Sequence, residues 1–111
     1  MNVVVLRGTL LRASERRLLT SGSVLLQLDL STPTPAGVAT VPVVWFDPPV
    51  SAEFDLGVEV AVLGEVRRRF FRVGGVTQSR TEVIATSVVR CSNRRAVTRI
   101  LAAAVEACSA V

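Results

Sequence analysis

The sequence predicts a mainly β domain, a small closed five-stranded barrel followed by one C-terminal α-helix. Three observations lead there. Short Val- and Leu-rich runs recur between clusters of Gly, Pro, Ser and Thr, and they alternate apolar with polar residues. Glycine interrupts two of these runs, Gly8 in the first and Gly64 in the fourth, and a glycine within a strand marks a bulge or a bend. Only the last segment changes to a helical period.

The elements follow in order. "NVVVLRGTLL" is the first strand, bent at Gly8, and "TSGS" from Thr20 to Ser23 is a tight turn after the run around Arg16 to Leu19. In "VLLQLDLST" Leu26, Leu28 and Leu30 face one way and Gln27, Asp29 and Ser31 the other, a half-buried second strand. "PTPAG" reads as a loop, and "VATVPVVWF" as a third strand whose Pro42 favours an edge or a bulge. "DPPVSAEFDLG" has room for one or two helical turns before Gly57. "VEVAVLGEVRRRFF" is the fourth and longest strand, "RVGGVTQS" a hairpin loop, and "RTEVIATSVV" the fifth strand. Val97, Ile100, Leu101, Ala104, Val105 and Cys108 then recur at helical spacing, with Ser92 or Asn93 as the N-cap.

Five strands, a short helical insertion between strands 3 and 4, and glycine bends in long strands have the order of an OB-fold barrel. A β-sandwich is the alternative, but it usually needs about seven strands. The barrel is expected over residues 1–90, and residues 91–111 form an amphipathic helix packed on the barrel or on a partner subunit. A chain of 111 residues suffices for one such core.

Composition narrows the function. The net charge is +4, and all 13 basic residues are Arg, a balance that suits an anionic partner. With no His, zinc sites of the Cys/His type and His-dependent triads are excluded. Without Lys or a nucleophile–base pair, the chain is not expected to be an enzyme, and no cofactor or metal is expected. Cys91 and Cys108 have no ligand spacing; free thiols fit a reducing cytoplasm, and a disulfide between the two stays open at this point. No run reaches the ~18 apolar residues of a membrane helix, and the start lacks a signal-peptide pattern.

Within the fourth strand, Val60, Val62, Gly64 and Val66 share the face expected inside. Arg67, Arg69 and Phe71 then share the outer face. Residues two apart on a strand lie roughly 6–7 Å apart, near the spacing of successive phosphates. Arg forks phosphate oxygens and stacks on bases, and aromatic stacking tolerates any base sequence. Phe70 has the inward parity of a core plug. Trp45 or Phe46 belongs to the core, with Trp45 expected to be the buried one. Arg72 is the fourth arginine of the same arm, and Arg7, Arg12, Arg16 and Arg17 can extend the basic track.

A resemblance accompanies this pattern. "NVVVLRGTLLRASERRLLTSG" resembles the opening of bacterial single-stranded DNA-binding proteins, with Asn2, Gly8, Leu10, Glu15, Arg17 and Gly22 in matching places. "LQLDLST", "VVWF", "VAVLGEVRRRFF" and "TEVIA" are similar to that family's later strands, so the likeness runs from Asn2 to Val89. It implies binding of single-stranded DNA without sequence specificity, in replication, repair or recombination. Phe71 and Phe46 then occupy stacking positions and Arg17 a basic position. Arg67, Arg69, Arg72 and Arg7, taken from the strand pattern and the basic track, are the further residues expected to contact the strand. It also implies a homodimer or homotetramer paired through the apolar first strand, with replication or repair proteins as further partners. Two departures stand out. Thr40, Pro35 and Ala36 occupy places where aromatics are usual, and the end is basic then apolar rather than an acidic tip. The related primosomal accessory proteins keep a second reading open, a protein-interaction module with weak or no DNA binding.

Overall fold

Leu26, Leu28 and Leu30 are almost wholly buried, while Gln27 and Asp29 between them are not; the period-2 pattern puts one side of this strand in the core. The computed structural model describes residues 1–110, and Val111, the last residue of the expected helical segment, lies outside the described residues. The elements are β1 (Val4–Leu10), β2 (Glu15–Leu18), β3 (Val24–Thr34), β4 (Gly37–Phe46), β5 (Glu59–Val73), β6 (Val76–Arg90) and α1 (Arg94–Ser109).

Five strands form the closed wall, in the order β1-β5-β6-β4-β3. It shuts where β3 meets β1 at Thr9↔Ser31 and Leu10↔Leu30, and where β4 runs parallel to β6 at Val43↔Val83 and Val44↔Ile84. The other neighbours are antiparallel. The short β2 lies on the same edge of β3 as β1, pairing Val24–Gln27. The first sequence run is therefore one strand interrupted after Leu10. The break falls at residues 11–14 rather than at Gly8, which stays within β1. Gly8 is needed for another reason, because a Cβ there would stand 2.8 Å from the Ser31 carbonyl oxygen.

The core gathers Leu10, Leu26, Leu28, Leu30, Val43, Val60, Val62, Val83, Ala85 and Val88. Ala52 and Phe54 join them from the connection between β4 and β5. No helical insertion forms there, contrary to the sequence expectation; residues 47–58 hold turns and extended chain. Pro48 and Pro49 supply no N–H, and the segment instead threads Phe54 into the barrel. Ser14 anchors it there, its N–H donating to the Phe54 carbonyl at 2.8 Å and its Oγ accepting from the Phe54 N–H at 3.0 Å.

Two expected loops are shorter than composition implied. β3 continues through Pro33 to Thr34, leaving Pro35 and Ala36 as the turn. "RVGGVTQS" is mostly strand, because Gly74 and Gly75, at φ 57° and 80°, turn the chain in two residues. The β5–β6 hairpin consequently projects beyond the barrel as a ribbon. Near its base Leu63 faces Ser87 and Gly64 faces Ala85, so Thr86 is an extra, bulged residue. Its hydroxyl donates to the Leu63 carbonyl at 3.0 Å.

Helix α1 starts at Asn93, whose side chain accepts from the Ala96 N–H at 3.1 Å. It packs on its own barrel, against β1, β5 and β6. The buried line is Ala96, Ile100 and Ala104, and the expected stripe is only partly right, since Leu101, Val105 and Cys108 are exposed. Small alanines about two turns apart, on either side of Ile100, let the helix axis lie close to the sheet, which turns the larger residues beside them outward. Among the described residues no helix is long and apolar enough to cross a membrane.

Candidate nucleic-acid interface

β5 builds the site from its alternation. Val60 and Val62 are fully buried, and Arg67, Arg69 and Phe71 take the opposite parity. Gly64 keeps the strands close at the bulge, since a Cβ there would collide with the Ile84 carbonyl. Beyond it Val66 has inward parity but is half exposed, because the ribbon has left the barrel. Asn2 covers its backbone, donating to the Val66 carbonyl at 2.7 Å and accepting from its N–H at 2.9 Å.

The same geometry corrects the place of Phe70. It is 66% exposed on the reverse of the ribbon, not a core plug, and the Arg68 guanidinium lies 5.9 Å from its ring. Inward parity means burial only where a barrel surrounds the strand. Trp45 packs against the core from the end of β4, and its neighbour Phe46 points out.

Register carries the outer face across the molecule. Arg67 stands opposite Glu82, Arg69 opposite Arg80 and Phe71 opposite Gln78. On the far side of β6, Ile84 pairs with Val44, Val44 with Gln27, and Gln27 with Glu15. The result is a cleft of about 490 Å³ with Arg69, Phe71, Arg80, Arg12, Arg17 and Gln27 on its walls. The Arg69 guanidinium lies 5.9 Å from the Phe71 ring centre, and Arg67 lies 5.9 Å from that of Phe46. Phe46 and Arg17 both flank Leu25 on this face.

Acidic groups brace these cations. Asp29 lies 3.4 Å from Arg12 and 3.8 Å from Arg80, and Arg69 Nε stands 3.1 Å from Glu82 Oε1. Glu82 is buried, and its Oε2 has no hydrogen-bond partner among the described residues. Sequence reasoning passed over Glu82 and Asp29. The signal was nonetheless present: a two-residue Gly74–Gly75 turn pairs Val73 with Val76 and, counting back, Arg67 with Glu82.

Of the sequence-predicted residues, Arg67, Arg69, Phe71, Phe46 and Arg17 share this face. Arg7 and Arg72 do not join them. Arg72 donates to the Gly75 carbonyl at 2.8 Å, tied to the ribbon's own tip. Arg7 faces the larger cleft, about 930 Å³, between β1 and α1. There it pairs with Glu59 at 2.9 Å, and this hydrogen bond raises the Arg7 pKa and lowers that of Glu59. Burial, then the Glu59 charge, pushes the Cys91 thiol up in the same cleft. That cleft is larger, and it carries Arg94 as well as the ion-paired Arg7, but most of its wall is apolar and it has no aromatic ring. The smaller one has the chemistry for an anionic, ring-bearing ligand.

The arrangement can fork phosphate oxygens and stack flat rings. Among the described residues no group of three or more His, Cys, Asp or Glu is placed to hold a metal ion. No protein-family model matches the chain, and no curated protein matches it.

Proposed function

We propose that this chain is an OB-fold barrel that binds single-stranded DNA without sequence preference, in replication, repair or recombination. The five-walled closure with β4 parallel to β6 supports the OB-fold assignment. One observation carries the function: Arg69 with Phe71, and Arg67 with Phe46, stand together on one outer face. Helix α1 covers β5 only toward its barrel end, beside Ala61 and Leu63, and lines none of the cleft that holds Arg69 and Phe71. Guanidiniums hold the backbone, and the rings beside them receive bases. The chain acts in the cytoplasm as a homodimer or homotetramer, pairing through β1.

Anisotropy of a fluorescein-labelled oligo(dT) tests this at two salt concentrations. Contacts from Arg67, Arg69, Arg80 and Arg17 predict a log–log salt slope of roughly −3, at about −0.7 per phosphate on a single strand. An unchanged anisotropy at low salt sinks the reading.

The second reading is a protein-interaction module. The bracing of Arg12, Arg80 and Arg69 by Asp29 and Glu82 favours it, because a face of mixed sign suits a protein partner. Capture of a replication or repair protein, together with no oligonucleotide affinity, selects it.

A further inference from the structure

We infer that Glu82 is a positioning residue for nucleic acid, holding Arg69 so that its terminal NH2 groups present a fixed fork to a phosphate. The inference rests on the DNA-binding reading. Glu82 is a carboxylate at the centre of a face meant for polyanions, between Arg67 across the ladder and Arg69 diagonally beyond it. Bare Coulomb repulsion makes it a liability there. Its burial is a second cost, since a buried carboxylate oxygen without a partner loses its hydration uncompensated. An apolar residue of similar volume avoids both, as replacement of buried charge often does.

The geometry shows what the carboxylate supplies instead. Its Oε1 meets Arg69 through Nε, 3.1 Å away, and 44% of the Arg69 side chain is exposed. A guanidinium carries five N–H donors in one plane. An ion pair on the Nε side draws the group toward Glu82 and leaves the donors of the two terminal nitrogens for a ligand. The anchored group also lies 5.9 Å from the Phe71 ring, so phosphate and base subsites are set at a constant separation. A free Arg side chain has to lose its rotamer freedom on binding; the Glu82 contact removes that loss beforehand.

The sign of one substitution decides the matter. E82L is expected to weaken oligo(dT) binding about tenfold, the weight of one charge-assisted hydrogen bond. It is expected to make the salt slope shallower by about 0.7, as one phosphate contact is lost. Its thermal midpoint is expected to match or exceed that of the parent, because the unpartnered oxygen is gone. E82Q keeps an acceptor for Nε and is expected to stay within about threefold of the parent affinity. In an R69A background E82L is expected to change affinity by less than about twofold, since the two residues act through one contact.

Tighter binding by E82L and E82Q alike makes Glu82 a simple repulsive charge and overturns the proposal. A lower thermal midpoint with unchanged affinity of the folded protein makes it structural, and overturns it as well. Should E82L fail to fold, E82Q decides: affinity raised beyond about threefold refutes the anchor. Parent protein that binds no oligonucleotide refutes the DNA-binding reading itself, and this inference with it. Altered E82L behaviour alone leaves that reading intact.

Discussion

The Arg67 guanidinium lies 5.9 Å from the centre of the Phe46 ring, although β6 separates the strands that carry them. The pair joins the ribbon to the third wall of the barrel, so the face behaves as one surface. Phe46→Ala and Phe71→Ala are each expected to weaken single-strand binding by ~1–3 kcal/mol, the usual range for a stacked base. Anisotropy titration measures it. Phe70→Ala, on the reverse of the ribbon, serves as the control and is expected to change affinity less than about twofold.

Arg7 supplies a negative prediction. It faces the β1–α1 cleft and is paired with Glu59, so Arg7→Ala is expected to leave oligonucleotide affinity within about twofold and the salt slope unchanged. Loss of a phosphate contact on this substitution shifts the binding track to β1.

The same pair predicts a pH dependence. The Glu59 pKa is lowered from its ordinary 4.5, chiefly by the Arg7 hydrogen bond, so the folded state binds that proton less tightly than the unfolded chain. The pair's stabilisation is therefore complete above pH 4.5 and fades as pH falls through the depressed folded value. Both groups are solvent-exposed, so the effect is small and screened by salt. Thermal midpoints of the parent and Glu59→Gln measured from neutral to acid pH are expected to converge below 4.5. A gap that widens there contradicts the assignment.

Gly64→Ala tests the bulge. The new Cβ collides with the Ile84 carbonyl, which is backbone and cannot rotate away. Urea denaturation is expected to show a loss of ~1–3 kcal/mol, the range for overpacking a close contact. An unchanged midpoint means that the ladder shifts without strain.

Thiol reactivity separates the two cysteines. Burial raises the Cys91 pKa, which lowers its thiolate fraction at neutral pH, while Cys108 is exposed near the end of α1. Iodoacetamide followed by mass spectrometry is expected to label Cys108 first.

Much of this was legible in the chain before its structure. The Leu26, Leu28, Leu30 alternation marked the core side of β3, and the parity of Val60 and Val62 placed Arg67, Arg69 and Phe71 on the outside. Local pattern carries such information because side chains alternate strictly along a strand. It fails where a tertiary boundary intervenes. Phe70 has the parity of Val60 and Val62, yet it is exposed because the barrel ends before the ribbon does. Phe54 was read as part of a helical insertion, although two prolines precede it and its ring is needed in the core. Glu82 lies beyond local pattern for a different reason: it is buried at a position of outward parity, with its ion-pair partner Arg69 diagonally across the ladder. The helix stripe was right for Ile100 and Ala104 and misled elsewhere: small Ala96 is buried though it was passed over, while the larger Leu101 and Val105 are exposed.

The wall of the barrel is clasped at only two residue pairs where β4 meets β6, whereas β5 and β6 are laced together from Val60 to Val73. Opening the wall at this clasp therefore breaks far fewer ladder pairs than separating the hairpin. Phe46 rides on one side of that clasp and Arg67 on the other. A strand lying across both is a rivet, and oligonucleotide binding should slow amide exchange at Val43, Val44, Val83 and Ile84 more than anywhere along the ribbon.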